Sequence, residues 1–517
     1  MLLLLFPAIL SGQDKPSPAM ESITRAELRD HIYFLASDFM AGRDGPSGEY
    51  EIAAQYVATQ FAAGGLQPLS ADTGNMNGWF QEVPYQKVIL DESPTWLIRT
   101  KEGKKVFRHN EDYKIFEGRY LPDESMEVVF VGYGIHEPDY GWDDFKGLNV
   151  EGKMVVLMSG APVEKEKSVL PDSLHKQYSS MMGLQSKAMP IIRQKPAAVV
   201  LALDKQLSAM LPFDRIPSQL KEEMYLYQGP AGEQGDLRIP MIYLVRDTLL
   251  QALFKDQKTS PARIAKQGMK KYQTFVLKDL MVETHFPVKE RKELTLKNVV
   301  ACVPGTDPEL SQEYIAVGAH LDHVKLPNGQ VANGADDNAS GSAGVLEIAE
   351  AVALDPPRRS VVFITYTAEE MGLQGSHYFV NAGPLALEDI KFNVNLDMIG
   401  RTTEENKETR SHYVLGSSLY EAKLVPFISE INEATIQWPL IYDFQHAYSG
   451  SSDHASYSDQ GIPSFFFFSG SHKDLHTAGD DPEKIEFDKA ESISRLAYLI
   501  TMELANMQVV PDFRSEE

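Results

Sequence analysis

Apolar residues recur at helical spacing near the start of the chain. Leu28, Ile32 and Leu35 form one stripe within 22–38, and Thr24 with Glu27 has the spacing of a reciprocal helix cap. A second helix is predicted over 49–63, with Ile52, Tyr56 and Ala63 on one stripe and Gly64-Gly65 as its stop. The Gly/Pro-rich stretch 41–48 between them reads as a loop. From about residue 86 to 280 the pattern changes to short β-type runs, including 127–131, 154–158, 197–201 and 239–245, which predicts a β-rich module. From 295 onward strand and helix patterns alternate. Strands are predicted at 314–319, 360–366, 392–397 and 463–468, and helices at 340–354, 373–381, 418–433 and 487–507. Such alternation predicts an α/β domain with a mixed, largely parallel sheet flanked by helices, whose polar sites form where strands end.

The 517 residues allow two to four domains, expected here as a leader at 1–19, catalytic pieces at 20–115 and 286–517, and an insert at 116–285. Lys and Arg total 49 against 73 Asp and Glu, a net charge of −24, which excludes the basic footprint of a nucleic-acid binder. Cys302 is the only cysteine. An intrachain disulfide and a four-cysteine zinc site are therefore excluded, and any metal ligands must be His, Asp or Glu. Cys302 itself reads as a small buried hydrophobe. Residues 2–10 are apolar and followed by Ser11 and Gly12, but no basic residue precedes Lys15. They are too short to cross a bilayer and fit the apolar core of an export leader truncated at its start. The expectation is an exported chain, periplasmic or secreted, with no transmembrane helix. The oligomeric state is left open.

Five pieces of sequence concentrate polar chemistry at or near predicted strand ends: Gly318-Ala-His320-Leu-Asp322-His323, Gly334-Ala-Asp336-Asp337-Asn-Ala-Ser340-Gly341, Ala368-Glu369-Glu370-Met-Gly372, Asn395-Leu-Asp397-Met-Ile-Gly400 and His476-Thr477. Asp397 lies in an apolar stretch, where an unpaired carboxylate would cost several kcal/mol. A bound cation would remove that cost. Two histidines and three carboxylates can hold two zinc ions that share one carboxylate. In an extended or turning segment Glu369 and Glu370 point different ways, so one can bind metal while its neighbour acts as a general base.

Together these motifs resemble the M28 family of metallopeptidases, the co-catalytic zinc aminopeptidases. The stretch Leu35-Ala-Ser-Asp, Ala41-Gly-Arg43 and Gly65-Leu-Gln-Pro68, with Val131-Gly-Tyr-Gly134 and Gly147–Val156, resembles members carrying an inserted protease-associated (PA) domain. The resemblance implies a zinc-exopeptidase fold, two Zn²⁺ per chain and peptide substrates. It also implies hydrolysis of N-terminal residues by metal-activated water. It further implies Asp337 as the bridging ligand, because Asp337-Asn-Ala-Ser340-Gly341 matches the family spacing where Asp336 does not. His320 and Asp397 are implied as ligands of one zinc, Glu370 and His476 as ligands of the other, and Glu369 as the general base. Asp322 is implied as the acid that orients His320. Tyr448 matches a substrate or oxyanion residue by rough position alone. His323, His446 and His472 are expected to lie outside the ligand set, and Phe465–Phe468 to form a buried strand. The same metal core supports carboxypeptidase or dipeptidase action, and a scaffold of this kind can also serve as a non-catalytic receptor.

Overall fold

The computed structural model describes residues 17–514, apart from 70–73, 119–120, 122–124, 165–166, 180–182, 184–186, 188–189, 192–193, 211, 217, 219, 221, 231–239, 268–273, 327 and 446–447. Most of the expected leader, 1–16, and His446 lie outside the described residues. The chain divides into two units, Met1–Pro84 with Thr295–Glu517, and Tyr85–Leu294. The first division thus falls about thirty residues before the expected 115/116 boundary. The cause is strand pairing. Thr95–Thr100 pairs with Phe275–His285, and Tyr113–Glu117 with Met241–Val245, so both early strands belong to the second unit.

After one short helical turn at Pro18–Ser22, the first unit continues with helices α1 (Arg25–Leu35) and α2 (Gly48–Ala63). The α1 cap forms as the sequence implies, with Thr24 Oγ1 accepting from Glu27 N and donating to its carboxylate. Later along the chain come β1 (Val288–Val303), β2 (Tyr314–His320), α3 (Gly341–Leu354), β3 (Ser360–Tyr366), α4 (Gln374–Ala382) and β4 (Ile390–Leu396). Next are β5 (His412–Gly416), α5 (Glu421–Ala434), β6 (Leu440–Tyr442), β7 (Ser464–Phe468) and α6 (Phe487–Asn506). From β1 the sheet runs β1-β3-β2-β4-β7-β5-β6. Neighbours within the central four, β3, β2, β4 and β7, are parallel, while β1 and β5 flank them antiparallel. Being covered on both faces, the central strands are nearly continuous apolar runs instead of alternating ones, as Phe465–Phe468 illustrates. Gly318 is required in β2, because a Cβ there would lie 2.5 Å from the Tyr366 ring.

Helix α3 is buried along most of its length and packs with α6 over the sheet. Gly344 permits that approach, since its Cβ would stand 3.0 Å from Leu396, Ile399 and Ser494. Cys302 is buried in β1 as a free thiol.

In the second unit an eight-stranded mixed sheet runs in the order 103–108, 95–100, 275–285, 125–130, 154–158, 198–202, 241–245, 113–117. Neighbours among the strands 125–130, 154–158, 198–202 and 241–245 are parallel. Trp96 stacks on Tyr113 at 4.9 Å and meets Tyr243 edge-on at 4.6 Å in its core.

Candidate metal centre

Strand β2 ends at His320 and β3 at Tyr366, directly opposite it in register, so the loops that follow leave the sheet at the same edge. Asp397 follows the end of β4 directly. His320 Nδ1 is 3.0 Å from the Asp322 carbonyl oxygen, which fixes the ring so that Nε2 faces Asp397 Oδ1 and Asp337 Oδ1, each at 3.3 Å. The segment carrying Asp337 is tied down by its neighbours. Asn338 donates to Leu396 O at 2.9 Å, and its Oδ1 accepts from Gly341 N and Met398 N at 2.9 and 3.1 Å. Asp480 Oδ2 accepts the main-chain N–H groups of both Asp336 and Asp337 at 3.0 Å.

The two adjacent aspartates separate cleanly. Asp336 turns to Gly400 N at 2.6 Å, Ser340 Oγ at 3.2 Å and His472 Nε2 at 3.3 Å, which makes it a buried structural group. Asp337 sits among imidazoles. Its Oδ1 faces His320, and its Oδ2 lies 3.0 Å from His476 Nε2 and 3.5 Å from His323 Nδ1. Glu370 Oε1 lies 3.1 Å from His476 Nε2 and 3.0 Å from His323 Nδ1. Two groups of ligand-type atoms result, each lying within 4.8 Å of one another: His323, Asp337, Glu370 and His476, and His320, Glu369 and Asp397. A single carboxylate, that of Asp337, faces both.

The expected ligand and base residues are thus brought together, and the remaining residues are placed as follows. Asp322 contacts His320 through its carbonyl. Its carboxylate instead accepts from Glu369 N at 3.0 Å and Glu370 N at 3.3 Å, holding the two glutamates in place. His323, expected outside the ligand set, is buried beside it, with Nδ1 3.0 Å from Glu370 Oε1 and 3.5 Å from Asp337 Oδ2. The sequence did hold a signal for this, since a third polar residue closes His320-Leu-Asp322-His323, but one imidazole without periodicity carries no weight alone. Tyr448 is placed on a loop, 40% exposed, with its ring 5.7 Å from Phe468.

Arg43 escaped sequence reasoning as a site-building residue. Its buried guanidinium donates to the carbonyls of Leu321 (3.0 Å), Leu35, Asn333 (2.7 Å) and Gly334 (3.0 Å). The His323 N–H donates back to Arg43 O at 3.3 Å. The early segment therefore clamps the loops that deliver His323 and Asp337. Burial brings Arg43 down to about 10, against the upward pull of Asp337 and Asp480.

Electrostatics sorts the carboxylates. Burial pushes Glu369 well above the ordinary carboxyl range, and Glu370, Asp397 and Asp453 add to this against the pull of His320. Burial acts the same way on Asp337, but His323, His320 and His476 outweigh it and hold Asp337 well below that range. Burial raises Asp322 to about 7 against the opposing His320.

The donor set fits divalent zinc. Bonds of about 2.0–2.2 Å in tetrahedral geometry place neighbouring donor atoms roughly 3.3–3.6 Å apart. The nitrogen–oxygen separations here run from 3.0 to 3.5 Å. Crowding so many carboxylates without a cation would leave them in mutual repulsion.

Residues 298–501 match the model of peptidase family M28. Leucine aminopeptidase 1 of Pyrenophora tritici-repentis is 30% identical over 222 residues, covering 40% of this chain and 55% of that protein. Leucine aminopeptidase 1 of Grosmannia clavigera is 32% identical over 222 residues, covering 40% and 53%. The chain therefore spans little more than half the length of these relatives. An aminopeptidase from Aneurinibacillus sp. strain AM-1 shares the fold, with a TM-score of 0.53 and 20% identity over 95% of this chain and 97% of that one.

Proposed function

Since residues 298–501 match the model of peptidase family M28, we propose that the chain is a zinc-dependent exopeptidase of this family, releasing N-terminal residues from peptides. The observation that carries this reading is the placement of Asp337 between two groups of ligand atoms, with Glu369 beside them. Aminopeptidase names among the relatives support the choice of substrate end.

His320 and Asp397 would hold one Zn²⁺, Glu370 and His476 the second, and Asp337 both. The bound ions would supply Lewis acidity, polarising the scissile carbonyl and making water acidic enough to attack near neutral pH. Glu369 is the general base. It is the glutamate grouped with His320 and Asp397, its backbone is fixed by Asp322, and burial raises its proton affinity. A carboxyl poised in this way takes a proton from water and returns it to the leaving amine. Tyr448 is the candidate contact for substrate or oxyanion, and its exposure leaves it accessible to a peptide.

The second unit is read as a PA-like insert that selects substrates. The apolar run 2–10 supports export. Among the described residues no helix is long and apolar enough to cross a membrane.

A peptide-library digest read by mass spectrometry tests the reading. Products should lack successive N-terminal residues, disappear with a chelator and return on adding Zn²⁺. Cleavage of N-acetylated peptides, or rates indifferent to the chelator, would overturn it.

A further inference from the structure

Asp397, His476 and Asp337 reach the centre on three different segments, and one guanidinium ties those segments together. Arg401 follows Asp397 by four residues and stands outside the ligand set. Its side chain is only 11% exposed. Nη2 donates to Asp474 Oδ2 at 2.9 Å, and Nη1 lies 3.6 Å from Asp480 Oδ1. The main chain that carries it is pinned as well. Gly400 N donates to Asp336 Oδ1 at 2.6 Å, and Arg401 N to Ser469 Oγ at 3.1 Å.

Each of the two carboxylates governs a ligand. Asp474 heads the turn that presents His476, and its carbonyl accepts from Thr477 N at 3.1 Å and Thr477 Oγ1 at 2.7 Å. Within that turn His476 takes φ +53°, a left-handed conformation that a residue with a Cβ adopts only where its surroundings hold it. Asp480 is fully buried. Its Oδ2 accepts the N–H groups of Asp336 and Asp337, and its Oδ1 faces the guanidinium. The carboxylates of Asp336 and Asp337 act on it from nearby, so a cation beside Oδ1 offsets their repulsion.

We propose that Arg401 is a positioning residue for both metal ions. The inference rests on the zinc peptidase reading above. Arg401 sets His476 through Asp474 and Asp337 through Asp480, and its own main chain continues from Asp397. These ligands belong to different ions, His476 to one, Asp397 to the other and Asp337 to both, so the latch fixes the spacing of the pair. A planar fork can engage two carboxylates at once, which a single ammonium does not match. Lys484, 3.2 Å from Asp474 Oδ2, supports only the Asp474 end. In the competing arrangement Arg401 merely neutralises buried charge, and any cation in its place would serve.

Arg401→Lys in the full-length chain separates the two, because lysine keeps the charge but reaches one carboxylate. Competition against a metal indicator is expected to show both zinc ions held at least about tenfold more weakly, with the urea midpoint of the metal-free chain unchanged. Zinc affinities within about twofold of the parent's would overturn the proposal and leave the peptidase reading intact. A parent chain that binds no zinc would overturn that reading, and this inference with it. A mutant cycle with Asp474→Asn guards against simple loss of fold. If both residues act through one latch, the double variant loses no more zinc affinity than the weaker-binding single variant. Losses that add in full, as those of independent sites do, would also sink the proposal.

Discussion

Asp480 holds Asp337 through the main chain. Its Oδ2 accepts the Asp337 N–H at 3.0 Å, and the same oxygen accepts that of Asp336. The carboxylate that faces both ligand groups is thus aimed from beneath by a second, buried carboxylate. In Asp480→Asn, an amide nitrogen in that place would oppose two N–H donors, and an amide oxygen there would bind them more weakly. Zinc affinity is expected to fall about 10–100-fold. Competition against a metal indicator would show this, with circular dichroism confirming that the fold is kept.

Glu369→Gln should keep the side-chain shape and remove the base. Hydrolysis of aminoacyl amides is expected to fall by about 10²–10⁴-fold. Zinc content measured by mass spectrometry should not change, because Glu369 is assigned to the proton and not to the ions. Retained activity would reassign the base.

Much of this was legible in the sequence because parallel strands and amphipathic helices write strong local patterns. The strand expected at 360–366 is found at Ser360–Tyr366, and the helix expected at 487–507 at Phe487–Asn506. The five motifs converge because each leaves the same edge of one sheet. What stayed hidden depends on contacts between distant residues. Nothing local marks Arg43 as a partner of Leu321 or Gly334, nor Asp480 as the acceptor for Asp337. Nothing local marks His323 as a neighbour of Glu370 and Asp337 either. The division after Pro84 is not legible in the sequence because pairing of Thr95–Thr100 with Phe275–His285 spans far more sequence than any periodicity can reach.

Arg43→Lys keeps the charge but loses the planar fork, and one ammonium cannot reach four carbonyls held in different directions. Carbonyls left unpaired in a buried site cost about 1–3 kcal/mol each. A loss of at least about 3 kcal/mol is expected in urea unfolding of the apo protein. A shift below 1 kcal/mol would contradict the clamp.

His454 supplies a pH dependence away from the ligands. Burial holds its imidazole down to about 4 from an ordinary 6.5, opposed by its hydrogen bond with the Ser449 carbonyl, and its ring stacks on Phe466 at 4.4 Å. Between pH 6.5 and 4 the unfolded chain therefore binds the proton that the folded chain excludes. Stability is full above 6.5 and declines as pH falls through this window, by up to about 3 kcal/mol. His454→Phe keeps the stack and should flatten that part of the profile, as read by denaturation midpoints at stepped pH.

The Arg43 clamp also fixes an order of events in synthesis. Arg43 leaves the ribosome early, but the carbonyls of Leu321, Asn333 and Gly334 emerge nearly three hundred residues later, and His476 later still. Until then the nascent chain lacks part of the candidate ligand set. The candidate centre cannot be complete before residues from both ends of the chain are present.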